Sequence, residues 1–254
     1  MAMWSMILKI LVIVGLTSSS AYAEKITIAA AADLKFAMDE IVTGFNKSYS
    51  GHQVEIIYGS SGKFFTQIQQ GAPYDLYFSA DINYPHELAR KGFTSSDVTS
   101  YAVGRVVIWS NSMDASKMTL ARLTDSNIIK IAIANPKHAP YGKRAEEALK
   151  ASGMWDKVQS KLVFGENIAH TAQFVQTGNA QVGIIALSLV LSPELAKKGS
   201  YYLIPDTLHQ PLEQGYVITK SGAGKSLAKK FANYMRAKEG RNIMTRYGFV
   251  LPGK

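Results

Sequence analysis

The sequence predicts an α/β fold, because short apolar runs rich in β-branched residues alternate with amphipathic runs along the chain. Two further observations support this prediction. Hydrophobic residues make up 47% of the 254 residues, which is enough for a sizeable core, and the alternation contains no internal repeat. The chain also has no cysteine, so its stability must come from that core, and disulfides and zinc–thiolate sites are excluded.

The first 23 residues have the features of a secretory signal peptide. Lys9 is their only charged residue, an apolar core lies at 10–16, and Ala21-Tyr22-Ala23 is a small-x-small cleavage site. The apolar core is shorter than the roughly 20 residues that a membrane-spanning helix needs. We therefore expect export to the periplasm of a soluble mature chain that starts at Glu24.

The mature chain opens with a strand–turn–helix unit. A β-branched run at 26–28 passes into small residues at 29–32. Apolar side chains then recur at the spacing of one helical stripe, at Leu34, Met38, Ile41 and Phe45. Asp33 stands at the turn, where an aspartate is a common helix N-cap. The small residues leave room for a ligand against the backbone.

A second unit of the same design follows. An apolar run at 54–57 leads into Gly59-Ser60-Ser61-Gly62-Lys63, and the apolar residues of 64–68 can share one helix face. The first N–H groups of a helix lack internal acceptors and the helix dipole makes that end positive, so this turn can bind an anion. It is also typical of a serine N-cap after a tight turn.

The alternation continues from Asp75 to the end of the chain. Predicted strands lie at 76–79, 103–109, 128–134, 161–164, 182–186 and 216–219, and predicted helices at 85–91, 142–151, 168–177 and 227–237. The extended runs at 103–109 and 216–219 are candidates for crossings between two lobes. They predict a discontinuous lobe I of residues 24–103 and 219–254, and a lobe II of residues 104–218.

Two later helix starts resemble the first two turns. The loop at 135–140 carries two prolines ahead of Tyr141, and Glu166-Asn167 precedes Ile168. Each start can present a backbone N–H to an anion, although each is also an ordinary strand-to-helix turn. Four such starts are what an oxyanion cleft between two lobes requires.

Charge and motif content argue against other function classes. The formal charge is +9, but the lysines are scattered and not clustered with aromatic residues, so nucleic acid is not an expected partner. Gly222-Ala223-Gly224-Lys225-Ser226 lacks the first glycine of a P-loop, since Thr219 stands there. No histidine pair has metal-ligand spacing and no Gly-x-Ser-x-Gly is present. An enzyme is not expected; the alternative from that class is an exported hydrolase with Ser61 as nucleophile and no identifiable base.

A set of motifs carries a resemblance to a known family. In chain order they are Ala30-Ala31-Ala32-Asp33-Leu34, Gly59-Ser60-Ser61-Gly62-Lys63, the run from Gly71 to Asp81, Asn135-Pro136 with Pro140-Tyr141-Gly142, Glu166-Asn167-Ile168, the run from Gly183 to Ser188, and Arg246-Tyr247-Gly248-Phe249. With them the chain resembles the periplasmic molybdate-binding proteins of molybdate ABC transporters. The resemblance covers essentially the whole mature chain.

The resemblance implies a two-lobed, hinge-closing type II periplasmic binding protein fold, with each lobe a mixed sheet flanked by helices. It implies a buried tetrahedral oxyanion, molybdate or tungstate, and no cofactor and no cationic metal. It also implies a monomer that delivers the anion to an ABC permease in the inner membrane. A receptor for another oxyanion such as phosphate is the alternative within this class.

The resemblance places ligand contacts at Asp33, Ser61, Tyr141 and Ile168, the last two through backbone N–H groups. Part of the family has a further tyrosine donor at the position of Ala186, which this chain lacks. A serine is common at the position of Asp33, and an ionised carboxylate beside a dianion is repelled. We expect Asp33 to cap its own helix, with Lys63 close enough to neutralise it. A ligand that carries a proton for Asp33 to accept, which would favour phosphate, stays open.

Overall fold

A computed structural model describes residues 23–253 of the chain. The predicted signal peptide therefore lies outside the described residues, apart from Ala23. Within residues 23–253, no helix combines the length and the apolar character that crossing a membrane requires. In the same range, no group of three His, Asp or Glu side chains is placed to hold a metal ion.

The described chain alternates strands and helices throughout. The strands are β1 (Lys25–Ala31), β2 (Gln53–Gly59), β3 (Leu76–Ser79), β4 (Thr99–Gly104), β5 (Val106–Ser110), β6 (Ile131–Ala134), β7 (Leu162–Gly165), β8 (Val182–Ala186), β9 (Ser200–Leu203) and β10 (Leu212–Ile218). The helices are α1 (Lys35–Ser48), α2 (Ser61–Gln69), α3 (Asn83–Arg90), α4 (Pro140–Ala151), α5 (Trp155–Val158), α6 (Ile168–Gln176), α7 (Leu187–Val190), α8 (Ser226–Arg236) and α9 (Lys238–Arg246).

The strands form two five-stranded sheets of matching design. The first has the order β2-β1-β3-β10-β4 and the second the order β7-β6-β8-β5-β9. In the first sheet β1 runs parallel to β2 and β3, while β10 runs antiparallel to β3 and β4. In the second, β6 runs parallel to β7 and β8, while β5 runs antiparallel to β8 and β9. The predicted α/β class with two mixed sheets is confirmed.

The chain passes between the sheets at two places. The extended run predicted at 103–109 is two strands, since β4 ends at Gly104 in the first sheet and β5 starts at Val106 in the second. The chain returns between β9 and β10. Because β10 is hydrogen bonded to β3 and β4, residues 212–218 lie in the first sheet, whereas the predicted boundary at 218/219 assigned them to lobe II. The second crossing therefore precedes Leu212.

Each sheet has its own apolar packing. One face of the first sheet packs on α1, α8 and α9, where the rings of Phe45 and Phe231 meet edge to face at 5.1 Å. Its other face packs on α2 and α3. The second sheet is covered by α4 and α6 around the fully buried Trp109. Neither α9 nor β9 was predicted, because α9 contains a glycine and few buried residues and β9 is a half-exposed edge strand.

The parallel strands aim their carboxyl ends at the gap between the sheets. Helices α1 and α2 follow β1 and β2 in the first sheet, and α4 and α6 follow β6 and β7 in the second. In open α/β sheets, ligands bind beyond the carboxyl ends of such strands. The fold therefore brings four strand-to-helix turns towards one region.

Candidate functional site

A narrow cavity lies between the two sheets, at the turns that follow these strands. Its walls include all four predicted site residues, Asp33, Ser61, Tyr141 and Ile168, together with Ala31, Ala32, Gly59, Ser60, Ala80, Ala139, Pro140 and Asn167. None of the four is more than 4% exposed. The cavity volume of about 10 Å³ is close to the smallest that holds one water molecule. The structure therefore brings the predicted residues together in a nearly closed space.

Ser61 is the first residue of α2 and lines the cavity beside Ser60. Its Oγ accepts a hydrogen bond from the backbone N–H of Ala80 at 3.0 Å, and its carbonyl accepts from the hydroxyl of Tyr77 at 2.8 Å. The hydroxyl proton of Ser61 is therefore free to donate elsewhere. The N–H of Ser61, at the first position of a helix, has no acceptor within that helix. Ser61 can offer two donors to an anion.

Tyr141 and Ile168 lie at the starts of α4 and α6 in the second sheet. Pro140 opens α4, and a proline is favoured there because its missing N–H is not needed. The side chain of Asn167 caps α6 by accepting from the N–H of His170 at 2.9 Å. This cap leaves the N–H of Ile168 without an acceptor in its own helix. Both helix starts can point donors at the cavity.

Asp33 does not cap its helix, so that prediction is wrong. It lies inside a 3₁₀ turn (Ala32–Leu34), and neither this turn nor α1 has a side-chain cap. Oδ2 of Asp33 accepts from the hydroxyl of Tyr141 at 3.0 Å and from Nε2 of Gln214 at 2.8 Å. Asp33 thereby joins the first sheet to the second across the gap.

Lys63 does not neutralise Asp33 either. Its Nζ lies 2.9 Å from Oε1 of Glu166, and the two side chains are about half exposed. The pair joins α2 to the turn before α6, so it bridges the two sheets at the surface. Exposed pairs of this kind contribute little to stability, about 0–1 kcal/mol. The sequence did not predict Glu166 as the partner of Lys63.

The carboxyl of Asp33 is held in an environment that disfavours its charge. Burial raises the pKa of Asp33 from 3.8 to about 6, and part of that rise is opposed by the hydrogen bonds from Gln214 and Tyr141 and, less strongly, by the backbone N–H groups of Asp33 and Leu34. Oδ1 is buried and has no hydrogen-bond partner among residues 23–253. Buried polar atoms are normally hydrogen bonded, so an unpaired one at a cavity suggests a missing partner.

Several residues of the site were not predicted from the sequence. Tyr101 donates to Oε1 of Gln214 at 2.7 Å, which fixes the amide whose Nε2 reaches Asp33. Ser188 donates to the carbonyl of Asp33 at 2.7 Å. The sequence gives no clear signal for Gln214, which follows Glu213 at the start of β10, ahead of the strand predicted at 216–219.

A separate group of contacts closes the cavity above Ser61. The carbonyl oxygen of His138, in the loop before α4, accepts from Oγ of Ser60 at 2.5 Å and from the N–H of Gly62 at 2.9 Å. Nδ1 of His138 lies 2.9 Å from the same Oγ, and since that hydroxyl donates to the carbonyl, the ring nitrogen is the donor. Burial lowers the pKa of His138 below its usual value. These contacts hold the two sheets together over the site.

The contacts of the serines do not support the hydrolase alternative. Within the described residues, the hydroxyl of Ser61 has no hydrogen bond to a histidine. Ser60 does contact His138, but its proton is directed to the backbone carbonyl and not to the ring. A nucleophilic serine needs a base that accepts its proton.

Comparison with known proteins gives matches over almost the whole chain. A family model described as bacterial extracellular solute-binding protein matches residues 26–250. The chain is 36% identical over 241 residues to the molybdate-binding protein ModA of Rhodobacter capsulatus, covering 94% of this chain and 92% of that one. It is 35% identical over 238 residues to ModA of Azotobacter vinelandii, covering 93% and 94%.

A solved structure gives the same relationship. The periplasmic molybdate-binding protein of Azotobacter vinelandii superposes with a TM-score of 0.83 at 32% identity, covering 90% of this chain and 100% of that one. The match confirms the predicted two-lobed architecture, in which each lobe is a mixed sheet flanked by helices.

Proposed function

Because this chain belongs to the family of bacterial extracellular solute-binding proteins, we propose that it is the periplasmic receptor of a molybdate ABC transporter. It captures molybdate, or the similar tungstate, between its lobes and delivers the anion to a permease in the inner membrane. It acts by binding and not by catalysis, as a monomer and without a cofactor. The signal peptide at residues 1–23 directs its export.

The convergence of four helix starts on one cavity carries this proposal. Ser61, Tyr141 and Ile168 place backbone N–H groups at the positive ends of three helices, and Ser61 adds a hydroxyl. No lysine or arginine is among the described residues that line the cavity. Fixed N–H and O–H dipoles stabilise an anion without a full positive charge. Such a site suits a small oxyanion better than a large or apolar ligand.

The anion enters when the lobes separate. The four predicted site residues are at most 4% exposed, so an anion from solvent reaches them only when the walls of the cavity move apart. The lobes are joined at Arg105 and by the connection between β9 and β10, and these are the proposed hinge. A ligand that touches helix starts on both lobes favours the closed state through its differential contacts.

A receptor for a protonated oxyanion such as phosphate is the second candidate. One observation favours it, namely the buried Oδ1 of Asp33, which has no hydrogen-bond partner in the described part of the chain, because a carboxylate there could accept the proton of a phosphate. Titration calorimetry with molybdate, tungstate, sulfate and phosphate separates the two candidates. We expect binding of molybdate and tungstate and weak binding of phosphate. A clear preference for phosphate would replace the molybdate proposal by the second candidate.

Replacement of Ser61 by alanine tests the donor assignment. Ser61→Ala is expected to weaken molybdate binding by about 1.5–3 kcal/mol, the usual size of a hydrogen bond to a charged group. The N–H of Ala80 also loses its acceptor, so unfolding should be measured beside affinity. Ser152→Ala is a matched control, because that hydroxyl donates to the carbonyl of Leu149 at the end of its own helix, away from the cavity-lining residues. Unchanged molybdate affinity in Ser61→Ala would contradict the assignment.

A further inference from the structure

We infer that Asp33 binds the oxyanion as a neutral carboxylic acid, donating a hydrogen bond from Oδ1 and taking up one proton from solvent with each anion. The inference rests on the proposed function. It concerns Asp33, which would place a further negative charge beside the molybdate dianion if its carboxyl were ionised. It makes the affinity of the receptor depend on pH.

The two oxygens of the carboxyl have different surroundings. Oδ2 accepts from the hydroxyl of Tyr141 at 3.0 Å and from Nε2 of Gln214 at 2.8 Å, so its lone pairs are engaged. Oδ1 is buried and has no hydrogen-bond partner among the described residues, although Asp33 lines the cavity. A proton on the carboxyl therefore belongs on Oδ1. There it makes a donor towards the cavity, where an anion needs one.

The orientation of Gln214 supports this arrangement. Tyr101 donates to Oε1 of Gln214 at 2.7 Å, and this bond leaves Nε2 facing Oδ2. Nε2 also lies 3.2 Å from the hydroxyl of Tyr141. Two donors thus hold Oδ2 as an acceptor, whichever state the carboxyl is in. The network directs protonation to the other oxygen.

Among residues 23–253, no basic group contributes to the pKa of Asp33 or offsets the charge of its ionised form. Tyr141 of α4 and Tyr101 of β4 are the titratable groups that face it, and burial raises the pKa of both hydroxyls, so both are neutral. Gln214 of β10 and Ser188 of α7 contribute uncharged contacts. On the remaining walls, α2 contributes Ser61, and Asn167 and Ile168 lie at the start of α6. None of these side chains is charged.

Two basic residues at the edge of the site are engaged elsewhere. Lys63 pairs with Glu166, and His138, whose pKa is lowered by burial, contacts Ser60. A dianion placed beside an ionised, buried carboxylate would be repelled without compensation. Protonation of Asp33 removes that repulsion and replaces it with a hydrogen bond.

The direction of the pH effect follows from this exchange. Burial already raises the pKa of Asp33 to about 6, and an adjacent dianion raises it further. At a pH above about 6, Asp33 of the free protein is ionised and must gain a proton when the anion binds. Molybdate affinity should therefore fall about tenfold per pH unit as the pH rises from 7 to 8.5, and should level off below the pKa of the free protein.

Calorimetry on the wild-type protein tests the inference directly. Molybdate is titrated at pH 7.5 in Tris and in imidazole buffers, whose ionisation enthalpies differ, and the change in apparent binding enthalpy gives the protons taken up. We expect a value near one for molybdate. Phosphate that brings its own proton would give a value near zero. A proton count near zero for molybdate, with affinity independent of pH, would overturn the inference and leave the proposed function standing.

Two variants locate the proton. Asp33→Asn keeps an acceptor for Tyr141 and Gln214 and a permanent donor in place of the proton, so we expect no proton uptake, flat affinity, and at least tenfold tighter binding than wild type at pH 8.5. His138→Gln should leave the count near one, and a loss of uptake there would assign the proton to His138 and overturn the inference. Absence of molybdate binding in wild type at every pH would instead refute the proposed function.

Discussion

Asp33→Asn is expected to raise the free energy of unfolding of the ligand-free protein at pH 8, by up to about 3 kcal/mol. The carboxyl is fully buried, and its pKa is about 6 in the folded protein, compared with 3.8 for an unperturbed aspartate. Each pKa unit corresponds to 1.36 kcal/mol, and the shift is roughly two units. At pH 8 the wild type keeps a buried negative charge, whereas asparagine keeps the same shape without the charge.

The sign of this effect sets its pH window. Because the folded-state pKa lies above the unfolded value, the folded protein holds the proton more tightly, and the stability that this provides is lost as the pH rises through about 6. Asparagine does not titrate. The advantage of Asp33→Asn should therefore be small at pH 4, should grow between pH 4 and 6, and should remain constant above that range.

Urea unfolding at a series of pH values measures this difference. Asp75→Asn is the matched control, because Asp75 is equally buried but its Oδ2 accepts from Lys225 and from the N–H of Thr27, both at 2.8 Å. Asparagine there removes the charge partner of Lys225 and leaves it only the carbonyl of Lys25 at 3.1 Å among the described residues, so the control should lose stability at pH 8. A loss of stability in Asp33→Asn at pH 8 would show that the Tyr141 and Gln214 bonds require the charged carboxylate.

The parts of this structure that the sequence predicts are those in which the signal is local. A β-branched run, small residues and a helical stripe follow one another within about twenty residues around Asp33, and again around Ser61. The four helix starts converge because each follows a parallel strand, and parallel strands end at one edge of a sheet. Local patterns thus predicted the four turns that meet at the cavity, while the choice of Asp33, Ser61, Tyr141 and Ile168 within them came from the family resemblance.

The contacts of those residues depend on partners distant in sequence. Gln214 lies 181 positions from Asp33, and no propensity or spacing links the two. Lys63 finds Glu166 at a separation of 103 positions, and Ser60 finds His138 at 78. The capping prediction for Asp33 failed for the same reason, since the competing donors come from β10 and α4. A buried polar side chain takes whichever partners the packed sheets supply.

Gly62 lies at a close approach between the two lobes. It is the second residue of α2, and its N–H donates to the carbonyl of His138 at 2.9 Å. A Cβ at this position would lie 2.6 Å from that carbonyl oxygen and 3.0 Å from the Cα of His138. Both are backbone atoms of the opposite lobe, so a side chain could be accommodated only if the lobes stayed further apart.

Gly62→Ala is therefore expected to weaken molybdate binding about 10- to 100-fold, with each factor of ten equal to about 1.4 kcal/mol. Closure would lose the Gly62 hydrogen bond and would disturb that of Ser60. The open form should be little affected, because alanine is the better helix former by up to about 1 kcal/mol, and the third close atom, the hydroxyl of Tyr84 at 3.0 Å, is the end of a side chain that can move. Lower affinity with equal or higher thermal stability is the distinguishing result.

Calorimetry, thermal unfolding and small-angle scattering on the same variant separate closure from folding. Molybdate should reduce the radius of gyration of the wild type and should change that of Gly62→Ala less, since the added methyl group meets His138 before the lobes close. Gly224→Ala is the control, because a Cβ there meets no atom within 4 Å. If Gly62→Ala bound molybdate as tightly as the wild type and contracted as fully, the approach of α2 to His138 would not be part of binding, and the anion would be held without the closed arrangement described by these contacts.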